Sequence, residues 1–215
     1  MQETQSQDRQ DQDSQSQDRR NPDSLNQANR PEIAFNQPRR RDRAMAEEGW
    51  IEALLRRAPV GTLATAGERG PALNPNLFVY DGEQRVLYLH TAKKGQTRSN
   101  LERTPRVAFS VAEMGRLLPA EHAVNFSVEF ASVIAEGRAT VVDEQAEARR
   151  ALALFMEKYA PHLEMGTDYG GIRSKDLART SVLKVEIESW SGKGKTSDAA
   201  DAYDYEPAAG CPQAV

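Results

Sequence analysis

The stretch RVLYLHTAKKGQTRSNL, residues 85–101, combines a strand pattern with a dense set of basic and hydroxyl side chains. Residues 85–91 alternate apolar side chains on two faces, as a β-strand does. The strand runs into a glycine-containing basic turn, and residues 97–103 are predicted to form a short helix. The turn is rich in groups that bind anions: His90, Thr91, Lys93, Lys94, Thr97, Arg98 and Ser99.

This basic turn has two interpretations. Cationic side chains, hydroxyl groups and a helix N-terminus together bind a phosphate monoester well. The alternative is a solvated basic loop that only ends a strand. Taken alone, the stretch favours the solvated loop. The choice between the two interpretations therefore depends on the rest of the chain.

Both ends of the chain differ in composition from its middle. The 215 residues suit one domain with appendages. Residues 1–44 carry few large apolar side chains, which predicts a disordered N-terminal tail. Residues 45–196 form the predicted domain, and residues 197–215 are a predicted flexible C-terminal tail. The net charge of −4 gives no reason to expect a nucleic-acid partner.

Signals for export, membrane insertion and metal binding were not found in the sequence. No apolar run approaches the roughly 20 residues of a membrane span. The single cysteine, Cys211, excludes an intrachain disulfide and a thiolate metal cluster. His122 and His162 have no carboxylate or cysteine at ligand spacing. We therefore expect a cytoplasmic protein without a metal site or a membrane partner.

Periodicity predicts six strands and two main helices. The predicted strands are residues 60–66, 72–80, 85–91, 106–111, 126–142 and 181–189, and the main helices are residues 46–57 and 143–159. Pro75 marks an edge, bulge or kink in the second strand. Asp81 and Gly82 predict a hairpin into the third. Short hairpins with few helices favour a mainly β (α+β) antiparallel barrel over a parallel sheet.

Five local features complete the predicted fold. The first three strands should form a meander, and residues 113–125 an irregular linker. Gly137 predicts a bulge in the long fifth strand, and Asp143 is the predicted N-cap of the second main helix. Residues 190–195, WSGKGK, should follow the last strand as a flexible basic segment.

Two side chains allow both a functional and a structural interpretation. His90, at a strand end beside the basic turn, would donate a proton or polarise a substrate near neutral pH, or would simply be a structural histidine. Trp190 would cover a planar ligand, or would pack as a core or dimer-interface aromatic.

In combination, LYLHTA (residues 87–92) and IESWSGK (residues 187–193) resemble motifs of the pyridoxamine 5′-phosphate oxidase-like family of FMN-binding split barrels. Residues 61–95 most resemble the branch of the 5-nitroimidazole resistance (Nim-type) reductases. The resemblance extends over about residues 46–195. It implies a six-stranded antiparallel split β-barrel with flanking helices, homodimeric, with FMN at the dimer interface. With it, the phosphate interpretation of the basic turn is favoured.

The resemblance also implies the residues of the site. Those for the phosphate and ribityl chain are His90, Thr91, Ala92, Lys94, Thr97 and Arg98. Asn74 and Asn76 would lie beside the edge of the isoalloxazine ring. The residues reaching the flavin bound mainly by the partner subunit are Ser132, Trp190 and Lys193. His90 stands where the Nim-type proteins have their active-site histidine.

Two departures qualify this resemblance. Gln96 and Thr97 stand where the Nim-type proteins tend to have a basic pair, so Arg98 and Lys94 must compensate. The Arg-x-His motif that follows the tryptophan in the B6 oxidases is missing, so pyridoxamine phosphate is not an expected substrate.

Two functions remain open. One is an FMN-dependent oxidoreductase that takes electrons from a donor such as NAD(P)H and reduces nitroaromatic or quinone-like compounds. The other is a flavin-binding carrier, sensor or interaction module without turnover. Deazaflavin and heme are alternatives to FMN, since the split barrel accommodates both in relatives.

Overall fold

A computed structural model describes residues 38–177 and 180–207. Within these ranges the strands are β1 (Ala44–Met45), β2 (Gly61–Gly67), β3 (Gly70–Asn76), β4 (Phe78–Asp81), β5 (Val86–Thr91), β6 (Arg106–Leu118), β7 (Ser127–Val141) and β8 (Ser181–Lys195). The helices are α1 (Glu48–Arg57), α2 (Gln96–Arg103), α3 (Gln145–Tyr159) and α4 (Ser174–Leu177). Most of the predicted N-terminal tail, the end of the C-terminal tail and Cys211 lie outside the described residues, and the predicted domain limits stay predictions.

All of these strands belong to one antiparallel sheet. Its order is β3-β2-β6-β7-β8-β5-β4, and β1 pairs with β8. The two end strands, β3 and β4, are joined by Leu77 alone, so the sheet curls until its edges meet. The described ladders do not include one between β3 and β4, so the barrel is split there. The predicted mainly β, antiparallel architecture is confirmed.

The predicted number of six strands is wrong, because the described residues form eight. The predicted second strand is two strands, since the chain changes its pairing partner at Leu77, from β2 to β5. The predicted meander is therefore interrupted. Pro75 lies in β3, an edge strand, where a missing N–H donor is tolerated. The other strand that was not predicted, β1, is only two residues long, so its sequence shows no strand pattern.

Two strands extend through segments that were predicted to be irregular. The predicted linker, residues 113–125, begins instead as the last six residues of β6. The WSGKGK segment lies inside β8, where it pairs with both β7 and β1. Glycine and lysine are poor strand formers, but two flanking ladders override that preference here.

The predicted irregularity at Gly137 is confirmed, although the extra residue lies on the opposite strand. Glu136 and Gly137 of β7 face Ser189 and Ile187 of β8, which leaves Glu188 as the bulged residue. The predicted N-cap at Asp143 is wrong. The chain stays extended one residue longer, so α3 begins after Glu144, which makes no side-chain capping bond.

The curled sheet has a core on each of its faces. Inside the barrel, Phe109 packs edge-on against Phe78 at 4.8 Å between ring centroids, and α1 contributes Ile51, Leu54 and Leu55. On the outer face, α3 packs through Ala148, Ala151 and Phe155 against a second group of residues, which includes Val79, Tyr88 and Val182. The site therefore lies on strands fixed from both faces.

Lys158, near the end of α3, ties this helix to the barrel. Its Nζ donates to the backbone carbonyls of Phe78 at 3.0 Å and of Leu55 at 3.3 Å. It also lies 3.8 Å from the centroid of the Phe78 ring, a cation–π contact. Burial lowers the pKa of Lys158 from its ordinary value of 10.5 to about 8.

The lowered pKa of Lys158 predicts a gain of stability in mild alkali. The folded state loses this proton at a lower pH than the unfolded state, so the free energy of unfolding should rise between about pH 8 and pH 10.5. Because the group is only half buried, we expect a gain of about 1–2 kcal/mol. Denaturant unfolding of wild type and of Lys158→Met across this pH range gives the free energy of unfolding of each protein. The gain is the part of the rise with pH that wild type shows and Lys158→Met lacks. Parallel curves for the two proteins would contradict the assignment, and exposed Lys175→Met is the control.

The segment that follows β8 is held against the β6–β7 hairpin. The Arg116 guanidinium binds Glu129 and the backbone carbonyl of Ser197, whose own N–H donates to Glu129 at 2.8 Å. Leu117 and Tyr203 exchange two backbone hydrogen bonds. None of the helices described here combines the length and the apolar character needed to cross a membrane.

Candidate functional site

His90 is the exposed fifth residue of β5 and its side chain is positioned from α3. The imidazole meets the Phe155 ring edge-on at 5.2 Å between centroids. Phe155 stacks on Tyr159 at 6.0 Å, and the Tyr159 hydroxyl accepts a hydrogen bond from the Phe78 N–H at 3.0 Å. The orientation of this histidine is therefore set by a chain of contacts that ends in the barrel core.

Two asparagines bridge the split in the barrel. Asn76 Nδ2 donates to the His90 carbonyl oxygen at 3.1 Å, and Asn74 Nδ2 donates to Thr97 Oγ1 at 3.4 Å. These bonds join the edge strand β3 to the end of β5 and to the first turn of α2. Four of the predicted site residues are thus neighbours in the fold, and all four lie at the split.

The basic turn presents several donors toward solvent in a short span. Lys94 and Ala92 are exposed, Thr91 and Thr97 are partly exposed, and Gly95 with φ +143° leads into α2. Arg98 Nε donates to Glu102 one helical turn later at 3.4 Å, a weak exposed pair. Ammonium, guanidinium, hydroxyl and helical N–H groups are the donor set that a phosphate monoester requires. The residues present therefore fit a phosphate.

Helix α2 is anchored by a buried polar contact that the sequence did not reveal. Asn100, which is 5% exposed, donates from Nδ2 to Thr65 Oγ1 of β2 at 2.8 Å. Since both partners are buried, breaking this bond would leave polar atoms unsatisfied. The anchor holds the middle of α2 against β2.

The remaining predicted site residues lie elsewhere on the barrel. Ser132 of β7 and Lys193 of β8 are paired in the ladder. Trp190 lies in the interior of β8, with the Arg85 guanidinium 4.1 Å from the centroid of its ring and Tyr80 at 6.1 Å. This tryptophan packs against the barrel core, as the structural interpretation of it predicts.

The two groups of predicted site residues lie on different parts of the sheet. His90 pairs with Val182 at the start of β8, whereas Lys193 lies eleven residues further along the same strand. In the other direction around the curled sheet, Asn76, which bonds to the His90 carbonyl, is separated from Ser132 by the β3–β2, β2–β6 and β6–β7 ladders. The two groups therefore form separate clusters in the fold.

Sequence reasoning missed Phe155 and Asn100 as supports of the site. The sequence places Phe155 only within the second main helix. Its contact with His90 spans 65 positions in the sequence, and no local pattern predicts it. Asn100 lies on a short, mostly polar helix, where no pattern in the sequence distinguishes it from its exposed neighbours. Groups of three or more metal-ligating side chains were not found in the described part of the chain.

The sheet order and the split define a split-barrel protein. The family model for pyridoxamine 5′-phosphate oxidase matches residues 47–194, well over half of the sequence. The chain belongs to this family. No curated protein matches the sequence.

Several solved structures share the fold. A candidate 5-nitroimidazole antibiotic resistance protein from Bacteroides thetaiotaomicron is 22% identical, with a TM-score of 0.59 over 70% of this chain and 86% of that one. The flavocytochrome Anf3 from Azotobacter vinelandii is 23% identical, with a TM-score of 0.65 over 79% and 76%. A FAD- and heme-binding protein from Mycobacterium smegmatis is 21% identical, with a TM-score of 0.65 over 79% and 93%. At these identities the likeness establishes the fold alone.

Proposed function

We propose that this protein binds FMN at the interface of a homodimer and uses it to reduce nitroaromatic or quinone-like compounds with electrons from NAD(P)H. The observation that carries the proposal is the cluster at the split, where the donor-rich turn and His90 meet the two bridging asparagines beside exposed leucines. Ser132 of β7 and Lys193 of β8 lie elsewhere on the sheet. A second copy of the chain would bring its own Ser132 and Lys193 to this cluster.

The donor set of the basic turn supports FMN over riboflavin. Lys94, Thr97 and Arg98 lie where the chain passes from β5 into α2, and the Asn100–Thr65 bond keeps that helix in place. Only FMN presents a phosphate monoester to such donors. The names of the solved relatives, one a FAD- and heme-binding protein, make FAD and heme the competitors to be tested.

Exposed apolar side chains beside the site support the homodimer. Leu73 and Leu77 flank the two bridging asparagines and are 70% and 41% exposed in a single chain. Apolar groups exposed next to a polar site are typical of a surface that another protein covers. A partner subunit would cover these leucines and close the site over the ligand.

The chemistry divides between the cofactor and the chain. When bound, the flavin supplies the electron transfer. The exposed imidazole of His90, oriented by Phe155, would donate a proton to the acceptor or polarise it. Asn74 and Asn76 fix the edge of the site, and the basic turn retains the phosphate.

The experiment is a titration of the purified full-length protein with FMN, riboflavin, FAD, a deazaflavin and heme, followed by visible spectroscopy. We expect saturable FMN binding at micromolar concentrations. Arg98→Ala should weaken FMN about tenfold and riboflavin little, because only FMN presents the phosphate. Arg69→Ala, in the exposed turn between β2 and β3, is the matched control.

Three results would contradict the proposal. Absence of FMN binding would refute the cofactor assignment. Equal losses for FMN and riboflavin in Arg98→Ala would refute the phosphate site. If analytical ultracentrifugation shows that the FMN-bound protein is a monomer, the shared site is refuted. Steady-state oxidation of NAD(P)H with a nitroaromatic acceptor then tests turnover.

A further inference from the structure

We propose that the end of the β7–β8 ladder where Phe130 pairs with Lys195 carries a second binding site, for a planar aromatic anion such as an aromatic or heteroaromatic carboxylate. A cleft of about 750 Å³ lies there, between the segment that leads into α1 and the ends of β6, β7 and β8. This volume falls within the range of small-molecule sites.

The walls of the cleft are suited to a flat ring. Trp50 of α1 lies against the backbone of β8, where an added Cβ at Gly192 would come within 2.9 Å of its indole. Phe130 forms another wall, and Met45 and Met114 lie between them. Aromatic faces with polarisable thioethers beside them accept planar apolar groups of varied outline.

The charges that line the cleft favour an anion. Each of its three carboxylates is already bonded to an arginine: Asp42 to Arg40, Glu113 to Arg57 and Glu129 to Arg116. The hydrogen bonds from Arg40 and from Arg116 hold the pKa values of Asp42 and Glu129 at about 2, so both stay ionised at neutral pH.

Two cations remain among the lining residues that the structure describes. Arg43 Nε lies 3.9 Å from an Asp42 oxygen that Arg40 already binds, and its guanidinium is 5.9 Å from the centroid of the Phe130 ring. Lys195 Nζ donates to the neutral hydroxyl of Ser127 at 2.7 Å. A carboxylate on the bound ring would therefore find two cations, one beside a carboxylate that Arg40 already binds and one bonded to a hydroxyl.

The cleft adjoins the candidate flavin residues Ser132 and Lys193 and extends beyond them. Phe130 and Lys195, which line the cleft, pair two residues along the same β7–β8 ladder, so both pairs point to one face of the sheet. The rest of the cleft comes from Trp50 and the segment that leads into α1, which have no part in the proposed flavin site. The second site should therefore bind its ligand whether or not flavin is bound, and it does not depend on the proposed function.

The test uses indole-3-acetate as the probe and the ¹⁵N-labelled full-length protein. The chain has two tryptophans, so two indole N–H signals appear in the NMR spectrum, and Trp190→Phe assigns them. We expect the Trp50 signal to shift saturably at about 1 mM probe or below, and the Trp190 signal to stay in place. Uncharged indole-3-acetamide should bind about tenfold more weakly. Saturating FMN should leave the affinity unchanged.

Matched variants distinguish a specific anion-binding site from non-specific binding to an apolar surface. Arg43→Gln should weaken indole-3-acetate about tenfold, while Arg41→Gln, a neighbouring arginine outside the cleft, should not. An unmoved Trp50 signal, equal effects of the two arginine variants, or equal binding of acid and amide would overturn the proposal. Competition with FMN would show that the cleft belongs to the flavin site, and would overturn it as well.

Discussion

Replacing His90 with alanine is expected to lower kcat for the NAD(P)H-dependent reduction of a nitroaromatic acceptor by about 100-fold. The imidazole is the exposed titratable group at the split, and Phe155 holds its orientation. Alanine removes the group that would donate the proton but retains the backbone carbonyl that Asn76 binds. Because His90 is one of six residues assigned to the phosphate and ribityl chain and the other five remain, FMN affinity should fall less than kcat does, by about tenfold or less.

Steady-state kinetics and an FMN titration on the same preparation measure both effects. His122→Ala, an exposed histidine before β7, is the control and should match wild type in both. An unchanged kcat in His90→Ala would exclude the assigned role. If wild type binds FMN but does not turn over with any nitroaromatic or quinone acceptor, the protein is better described as a non-catalytic flavin-binding module.

Replacing Gly137 with alanine is expected to destabilise the protein by about 3 kcal/mol or more. An added Cβ would lie 1.9 Å from the backbone oxygen of Glu186 and 3.2 Å from the Cα of Ile187. Both neighbours are backbone atoms of β8, so no side-chain rotation relieves the clash. The ladder between the two longest neighbouring strands would have to separate at the bulge.

Chemical denaturation of Gly137→Ala against wild type measures this loss. Gly49→Ala is the matched control, because a Cβ at this exposed position in α1 meets no atom within 4 Å and alanine favours the helix. The control should be as stable as wild type or slightly more so. A loss below about 1 kcal/mol in Gly137→Ala would show that β8 shifts freely at the bulge.

The strands whose patterns are local could be predicted from the sequence. Residues 85–91 alternate cleanly and form β5 within one residue, and the α1 pattern ends at Arg57 as predicted. The ends of β6 and β8 could not, because glycine, lysine and arginine there pair only when a neighbouring strand is present. Their extension depends on the ladder and not on local preference.

The candidate site shows the same division. The resemblance brought Asn74, Asn76, His90 and Thr97 to attention, and the fold makes them neighbours across the split. Their supports, Phe155 and Asn100, act through contacts between distant elements that no spacing reveals. Lys158 was missed for a related reason, since a lysine near a helix end usually reaches solvent, and here it reaches one carbonyl of β4 and one of α1.

The position of β8 in the chain has a consequence for biosynthesis. This strand pairs with β1, β5 and β7, so it lies in the interior of the sheet although it is the last of the described strands to be made. Until β8 has been synthesised, β5 and β7 lack the strand that pairs with both of them. The barrel can close only after residue 195 has emerged, so the nascent chain exposes open strand edges for most of its synthesis.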